Sequence, residues 1–272
     1  MNGEYLPLEK AWVSPLDRGF LFADGIYEVA RFDRGRAYRL AEHVERLAEG
    51  LAALRLPVDA DFYPAVSRRL LEENGLLTSD AIVYAQVTRG AAPRAHAFPP
   101  PGTPPTVFAF ARLSDPPPPP GGTAILLPDE RWGRCDIKSV MLLPNVLALQ
   151  TAKEAGAIDA ILVRDGLALE ATKANLFLVA GGVVRTAPNG PRILPGVTRS
   201  ATLEAARRLG HEVLESAFSV AEMLAADEVF LASTSLWTYS LTAIGGKTIG
   251  TGQPGPVAAK LRDVLYREFT RG

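Results

Sequence analysis

The sequence predicts a mixed α/β chain that folds as two domains. Its 272 residues are enough to build two hydrophobic cores. Stretches with helical apolar spacing and short strand-like runs occur without strict alternation, which argues against a doubly wound sheet. Five prolines at 116–120, followed by Gly121 and Gly122, can neither pair in a sheet nor continue a helix. We therefore predict a first domain at 1–114, a linker at 115–122 and a second domain at 123–272.

Two amphipathic helices and two strands are predicted in the first domain. Apolar residues recur at helical spacing over 40–54, and a second helix begins with the pattern at 62–70 and stops near Gly75. Strand-like apolar runs follow at 82–88 and 106–113. The order of helices followed by strands indicates a small α/β domain.

The second domain is predicted to begin with strands and tight hairpins. The dipeptides Asp165-Gly166, Gly181-Gly182 and Gly245-Gly246 each separate two apolar runs, as two-residue hairpin turns do. Further strands are expected at 123–127 and 228–233. Helices are expected to start near Thr198, to cover 219–225 and to close the chain.

Composition excludes several classes of function. Lys and Arg total 29 against 30 Asp and Glu, and no basic block occurs, so we expect no nucleic-acid partner. One cysteine, Cys135, and an N-terminus without a secretion signal indicate a cytoplasmic protein. The longest apolar stretch, 140–149, is broken by Pro144 and is too short to span a bilayer, so no membrane contact is expected. The three histidines are spread along the chain, which argues against a metal site.

The segment from Thr88 to Pro99 carries a candidate binding site. Arg94 and His96 stand two residues apart, close to a proline, where the chain leaves a strand-like run. A guanidinium offers a planar fork of donors and an imidazole adds another, a combination that suits a carboxylate. The alternative is a solvated arginine beside an incidental surface histidine. The other motifs of the chain favour the carboxylate site.

Lys138 and Glu170 are candidate catalytic groups. Lys138 lies among apolar residues, where desolvation makes an amine a usable nucleophile toward a carbonyl. The alternative is a strand-edge lysine whose ammonium reaches water. Glu170 ends an apolar strand, where most carboxylates are simply solvated. Beside a pyridine cofactor, however, such a carboxylate can keep the ring nitrogen protonated.

Two turns with hydroxyl groups predict a phosphate site. The turn 194–196 contains glycine and leads into a helix, whose first N–H groups and the Thr198 hydroxyl can bind phosphate. An ordinary helix cap at Thr198 is the alternative. A second hydroxyl cluster, Ser233 to Ser235, follows an apolar strand. Arg46 on the first helix can donate two N–H groups of its guanidinium to the phosphate; the alternative is a solvated arginine on the helix surface.

These motifs occur together in an order that resembles one enzyme family. The chain contains Asp17-Arg18-Gly19-Phe20, Asp24-Gly25-Ile26-Tyr27-Glu28, Glu42-His43-Val44-Glu45-Arg46-Leu47, Asp136-Ile137-Lys138-Ser139, Glu170 with Asn175-Leu176-Phe177, Gly196-Val197-Thr198-Arg199 and Ser233-Thr234-Ser235. In this order and spacing the set resembles the fold-type IV pyridoxal-phosphate enzymes over nearly the whole chain. Within that family, 88–96 and 134–139 are most similar to the D-amino-acid aminotransferases.

The resemblance implies a role for each candidate residue. Lys138 would bind pyridoxal 5'-phosphate as a Schiff base and move the substrate proton, and Glu170 would face the ring nitrogen. The residues implied to hold the phosphate are Arg46, Val197, Thr198 and Ser235. Those implied to bind the substrate α-carboxylate are Tyr27, Arg94 and His96. The family fold implies a small α/β N-terminal domain, a larger C-terminal domain with a β-barrel-like core, and a homodimer with the cofactor near the domain cleft.

The implied function is transamination between a D-amino acid, of the D-alanine or D-glutamate type, and a 2-oxo acid with ping-pong kinetics. Alternatives on the same fold are an (R)-selective amine transaminase, a branched-chain transaminase and an aminodeoxychorismate-type lyase. A cofactor-binding protein without turnover is disfavoured because Lys138 and Glu170 are both present. Two stretches depart from the pattern of the D-amino-acid aminotransferases. The first, 171–174, adds Lys173 close to the expected cofactor. The second, 236–240, places Trp237 and Tyr239 in a loop expected to border the substrate pocket.

Overall fold

The computed structural model describes residues 1–271 and divides the chain into two compact units. The first unit contains residues 1–114 and 137–142, and the second contains 115–136 and the chain from 143 onward. The first division falls at the start of the expected linker, but 137–142 departs from the predicted domains. The reason is backbone pairing, since the Tyr27 N–H donates to the Lys138 carbonyl and the Val140 N–H donates to the Gly25 carbonyl, each at 3.0 Å.

The first unit contains a four-stranded antiparallel sheet in the order β2-β1-β3-β4. A 3-10 turn at Leu8–Lys10 precedes its elements, which are α1 (Arg18–Phe22), β1 (Gly25–Asp33), β2 (Arg36–Ala37), α2 (Leu40–Ala53), α3 (Phe62–Glu73), β3 (Asp80–Thr88) and β4 (Thr106–Leu113). The predicted helices at 40–54 and from 62 to near Gly75 are confirmed as α2 and α3, and the predicted strands at 82–88 and 106–113 are confirmed as β3 and β4. Strand β1 has no clear signal in the sequence because its buried Glu28 and Arg31 interrupt the apolar pattern.

The core of the first unit forms where α2 and α3 pack against the sheet. Leu47 and Leu51 of α2 are buried, as are the alternating β3 residues Val83, Ala85 and Val87. Tyr63 of α3 is fully buried; its hydroxyl donates to the Val83 carbonyl at 2.8 Å and accepts from the Ala30 N–H at 2.9 Å. These bonds fix α3 against β1 and β3, the strands that position the candidate site.

The second unit is built on a closed barrel. Its elements are β5 (Gly122–Pro128), α4 (Leu143–Glu154), β6 (Asp159–Arg164), β7 (Leu167–Ala171), β8 (Asn175–Ala180), β9 (Val183–Thr186), α5 (Val197–Arg208), β10 (Val213–Glu215), β11 (Phe218–Ser219), α6 (Val220–Leu224), β12 (Glu228–Ser233), β13 (Trp237–Ile244), β14 (Lys247–Thr248) and α7 (Pro256–Arg271). Six strands follow one another in the order β8-β12-β13-β5-β6-β7, and β7 also pairs with β8. This pairing closes the barrel and confirms the predicted β-barrel-like core.

The three predicted hairpins are confirmed. Their central residues have positive φ in pairs: 53° and 74° at Asp165 and Gly166, 56° and 82° at Gly181 and Gly182, and 57° and 78° at Gly245 and Gly246. Positive φ at both central positions is the mark of a type I′ turn, whose twist matches that of the flanking strands. Along residues 1–271 there is no helix with the length and apolar character needed to cross a membrane.

The prediction that 236–240 forms a loop beside the substrate is wrong for residues 237–240. These residues begin strand β13, in which Trp237 pairs with Ser233 of β12. The Trp237 side chain is 1% exposed, and its ring centroid lies 4.8 Å from that of Phe269 in α7. Tyr239 is also buried in the barrel core. Trp237 therefore packs the barrel against α7 and Tyr239 belongs to the barrel core, so both side chains are buried in the second unit and not exposed in a loop.

Candidate active site

Lys138 is held along strand β1 by two backbone hydrogen bonds. The Tyr27 N–H donates to the Lys138 carbonyl and the Val140 N–H donates to the Gly25 carbonyl, and together these bonds form the antiparallel bridge between Ile26 and Ser139. The half-buried Lys138 side chain places Nζ 4.2 Å from the centroid of the Tyr27 ring. An ammonium over an aromatic face is stabilised by the quadrupole of the ring. The structure thus brings together two of the predicted site residues, Lys138 and Tyr27.

A buried ionic cluster lies next along β1. The Arg46 Nε donates to Glu28 Oε2 at 2.9 Å, and the His43 Nδ1 lies 2.8 Å from Glu28 Oε1. Burial alone opposes ionisation of Glu28, but the Arg46 charge and the His43 contact outweigh it and hold the pKa of Glu28 well below its ordinary range. Burial lowers the pKa of His43, so the imidazole is neutral near pH 7. Arg46, predicted to bind phosphate, is therefore buried against a carboxylate and not solvated on the helix surface.

Arg94 and His96 lie on the exposed connection between β3 and β4. Both contact Phe22 at the end of α1: the Arg94 guanidinium carbon lies 5.2 Å from the ring centroid, and the His96 ring meets Phe22 edge-on at 5.7 Å. Tyr27 instead stacks on Tyr84 at 5.6 Å. The structure brings Arg94 and His96 together, but it groups Tyr27 with Lys138.

Glu170 in β7 is a buried carboxylate with donors on both oxygens. The Arg131 Nη1 donates to Oε1, the Asn175 Nδ2 donates to Oε2 at 3.2 Å, and the Leu194 N–H lies 3.3 Å from each oxygen. Burial raises the pKa of Glu170, and the Arg131 guanidinium opposes that shift. The carboxylate is 4% exposed, so it is not the solvated strand end that its sequence position allows. Its orientation is fixed by its neighbours.

Arg131, which sequence reasoning missed as a site residue, connects Glu170 to a second carboxylate. Its Nε and Nη2 donate to the two oxygens of Asp129 at 2.8 and 3.0 Å, and Arg164 lies 3.1 Å from the same carboxylate. Burial opposes ionisation of Asp129, but these arginine contacts lower its pKa. The signal in the sequence is an arginine two residues beyond Asp129, which follows a strand-like run and precedes the segment with Lys138. The structure shows that this arginine is bound on both sides and cannot rotate freely.

Helix α5 begins with open N–H groups. Gly196 precedes the helix, no side chain caps it, and the first turn carries no acidic residue. The first N–H groups of a helix have no partner within the helix and are suited to an anion. Val197 and Thr198 are buried at this end. The alternative of a cap by Thr198 is excluded, because Thr198 lies inside the helix.

Asn175 couples this helix start to Glu170. Its Nδ2 donates to the Leu194 carbonyl at 2.9 Å as well as to Glu170. A Cβ at Gly196 would lie 2.1 Å from Asn175 Oδ1, so only glycine permits this close contact. In the sequence Asn175 stands five residues after Glu170, and its side chain carries no local signal of this contact. Asn175 therefore fixes the position of the Glu170 carboxylate relative to the start of α5, the candidate phosphate site, within the second unit.

Ser235 and Lys173 are both exposed. The Ser235 hydroxyl lies 3.4 Å from that of Ser233 in the turn between β12 and β13. Lys173 lies in the turn between β7 and β8, after Thr172, whose hydroxyl donates to the buried Asp159 at 2.6 Å. The Lys173 side chain therefore points to solvent, and its neighbour takes the buried position.

Comparison with known proteins gives a consistent result. Residues 25–244 match the amino-transferase class IV family. A D-alanine aminotransferase of Bacillus licheniformis is 39% identical over 272 residues, covering 98% of this chain and 95% of that protein.

Solved structures agree with this family. The branched-chain amino acid aminotransferase of Escherichia coli has a TM-score of 0.90 at 25% identity, covering 98% of this chain and 93% of that one. A second branched-chain amino acid aminotransferase, complexed with N-(5'-phosphopyridoxyl)-L-glutamate, has a TM-score of 0.89 at 26% identity, covering 100% and 94%. The resemblance to fold-type IV aminotransferases seen in the sequence is confirmed. The chain belongs to the class IV aminotransferase family.

Proposed function

We propose that the protein transfers an amino group between a D-amino acid and a 2-oxo acid with pyridoxal 5'-phosphate as cofactor. The observation that carries the proposal is the position of Lys138, whose backbone pairs with β1 and whose Nζ lies 4.2 Å from the centroid of the Tyr27 ring. The similarity to a D-alanine aminotransferase supports the D-amino acid as the donor. The proposal is tested by incubating the enzyme with D-alanine and 2-oxoglutarate and measuring the pyruvate formed.

The donor groups of the chain fit the three polar parts of this cofactor. An aldehyde condenses with an amine, a carboxylate stabilises a protonated pyridine nitrogen, and a phosphate accepts hydrogen bonds from N–H and hydroxyl donors. Lys138, the buried Glu170 and the Val197–Thr198 helix start supply these groups. We assign Arg46 and Ser235 to the phosphate as well. When bound, the cofactor supplies an electron sink for the α-carbon of the substrate.

Lys138 is assigned the proton transfer. As the neutral amine, its Nζ accepts the proton from the substrate α-carbon, and the ammonium that results then donates it. The backbone pairing of residues 138 to 140 with β1 fixes the Cα from which the Lys138 side chain extends, so the same anchored amine can serve both steps. The oxo acid product leaves before the second substrate enters, which gives ping-pong kinetics.

Replacing Glu170 with glutamine is expected to slow the half-reaction with D-alanine by at least about tenfold, a barrier increase of about 1.4 kcal/mol. A neutral amide cannot stabilise a proton on the ring nitrogen, although it fills the same volume. The rate is measured by stopped-flow absorbance with the acceptor omitted. Glu154→Gln, on the exposed face of α4, serves as the matched control. An unchanged rate in Glu170→Gln would show that this carboxylate is structural.

Arg94→Ala is expected to lower kcat/KM for D-alanine and D-glutamate by about tenfold or more, because one charge-assisted bond to the α-carboxylate is worth about 1.5–3 kcal/mol. A chiral amine without a carboxylate should be affected little, so comparing the two substrate types separates binding from general damage. Arg68→Ala, an exposed arginine paired with Glu72 on α3, is the control. Equal losses on both substrate types would indicate a structural role for Arg94.

A branched-chain transaminase is the second candidate function. It is favoured by the high TM-scores of the branched-chain enzymes, although their identity to this chain is 25–26%. The D-alanine aminotransferase is more similar in sequence, at 39%. A wild-type enzyme that preferred L-leucine to every D-amino acid tested would establish the branched-chain function instead.

We also propose that the protein acts as a homodimer in the cytoplasm. Trp12 and Phe20 of the first unit are 82% and 76% exposed, and burying such large apolar side chains against a second copy of the chain would favour association. The single cysteine, Cys135, is free, which suits a reducing compartment.

A further inference from the structure

The loop from Arg94 to Phe98, called here the 94–98 loop, turns its backbone carbonyls toward Arg18. Arg18 is 4% exposed. Its Nη1 donates to the Ala95 carbonyl at 2.7 Å and to the Ala97 carbonyl at 3.2 Å, and its Nη2 lies 3.5 Å from the His96 carbonyl. One guanidinium therefore holds three successive peptide groups, while the Arg94 and His96 side chains remain exposed.

Asp24 fixes the guanidinium of Arg18. The Arg18 Nε donates to Asp24 Oδ2 at 2.8 Å, and Arg89 donates to both oxygens of the same carboxylate at 2.8 and 2.9 Å. Arg89 in turn donates to the Leu54 carbonyl at 2.7 Å, which ties the cluster to the end of α2. Ala23, in the left-handed conformation with φ 55°, ends α1 and brings Asp24 back toward Arg18. The carbonyls that Arg18 binds are thus attached to a rigid part of the first unit.

Two aromatic rings attach the 94–98 loop to the same cluster. The Phe98 ring centroid lies 3.7 Å from the guanidinium carbon of Arg89. Phe22 contacts the Arg18 guanidinium at 4.8 Å and also touches Arg94 and His96. One end of the loop therefore contacts Arg89, which Asp24 orients, and the other end contacts Phe22, which packs on Arg18.

We propose that Arg18 is a positioning residue for the substrate carboxylate, because by binding the carbonyls of residues 95–97 it sets where Arg94 and His96 present their donors. This inference rests on the proposed function of those two side chains. A loop that is already ordered binds a ligand without the entropic cost of being immobilised. Lysine is a poor substitute for Arg18, since a single ammonium cannot replace the planar fork that reaches Asp24 and three carbonyls at once.

Arg18→Lys in the holoenzyme is expected to raise KM for D-alanine by about tenfold and to change kcat by less than about threefold. Propionate, a carboxylate without an amino group, should bind the variant about tenfold more weakly than wild type in calorimetry. Arg31→Lys is the matched control, because Arg31 is a buried arginine of the same unit that pairs with Asp80. It should lower the melting temperature without moving KM.

A double variant tests whether Arg18 acts through the loop. In an Arg94→Ala background, Arg18→Lys should raise KM by a smaller factor than in wild type, because one of the groups that it positions has been removed. Phe98→Ala provides a second route if Arg18→Lys does not fold. Phe98 is half exposed, so its removal releases the loop with little effect on the core. Its expected effect is a rise in KM of about threefold.

The inference is overturned if Arg18→Lys leaves KM and propionate binding unchanged, if Arg31→Lys raises KM equally, or if the single effects multiply fully in the double variant. If Arg18→Lys does not fold, an unchanged KM in Phe98→Ala overturns it. A wild-type enzyme that fails to turn over D-alanine overturns the proposed function instead. In that case the role of Arg18 is still tested by comparing propionate binding to wild type and to the Arg18→Lys variant. If such an inactive wild-type enzyme also fails to bind propionate, both the proposed function and the positioning role of Arg18 are overturned.

Discussion

Replacing Lys138 with alanine is expected to abolish transamination, with kcat for D-alanine falling by roughly 10²–10⁴-fold from loss of the proton-transferring group alone. The structure supports a large effect because the backbone of Lys138 is anchored to β1 and its Nζ lies over the Tyr27 ring, where no other lysine can replace it. The effect is measured by pyruvate formation under saturating D-alanine. Circular dichroism of the variant should match that of wild type, since the pairing uses only backbone groups.

Two other lysines provide controls for Lys138. Lys173 is exposed after β7 and Lys153 lies on α4, so Lys173→Ala and Lys153→Ala should retain wild-type turnover. Borohydride reduction followed by peptide mapping should place the pyridoxyl label on Lys138. A label on Lys153 or Lys173, or a Lys138→Ala variant with normal turnover, would contradict the assignment.

Glu28→Ala is expected to lower the free energy of unfolding by about 3–5 kcal/mol, because it leaves the Arg46 charge buried without its carboxylate. Arg46 is 8% exposed and His43 is 2% exposed, so water cannot easily replace the lost partner. Urea unfolding measures the difference. Glu72→Ala removes the carboxylate of an exposed pair on α3 and should cost no more than about 1 kcal/mol. A loss of similar size in both variants would contradict the buried cluster.

The contribution of Glu28 should also depend on pH in a defined direction. Its folded-state pKa lies below the ordinary value of 4.5, so the unfolded state binds more protons as the solution becomes acidic. The stabilisation is therefore complete above pH 4.5 and is lost as the pH falls below that value. The difference in unfolding free energy between wild type and Glu28→Gln should shrink in acid. A difference that grew as the pH fell would contradict the lowered pKa.

Local sequence patterns predicted much of the fold because the features involved are local. The α2 and α3 helices follow from their apolar spacing, and the three hairpins follow from dipeptides that tolerate positive φ. Strand β1 has no such signal, since Glu28 is buried by pairing with Arg46, which lies 18 residues away. The α4 helix begins beside Pro144. A proline is tolerated in the first turn of a helix, but in the sequence it interrupts the apolar pattern and so hides the start of the helix. Trp237 illustrates the opposite error, because a buried aromatic in a strand resembles an aromatic in a pocket.

The candidate site was predicted residue by residue through its motifs, whereas its supporting contacts depend on the three-dimensional structure. Lys138 and Tyr27 are 111 positions apart and meet only because 137–142 pairs with β1. Arg131 and Asn175 become visible as partners of Glu170 once β7 and β8 are paired. Arg18 acts through backbone carbonyls, which have no side-chain signature in a sequence.

The central claim, that the protein transaminates D-amino acids with a cofactor bound at Lys138, is tested most directly by the visible absorption spectrum of the purified holoenzyme. Addition of D-alanine without an acceptor should bleach the band of the bound cofactor and release about one equivalent of pyruvate per site, as a ping-pong half-reaction requires. Subsequent addition of 2-oxoglutarate should restore the band. A spectrum that responds to L-leucine but to no D-amino acid would contradict the claim.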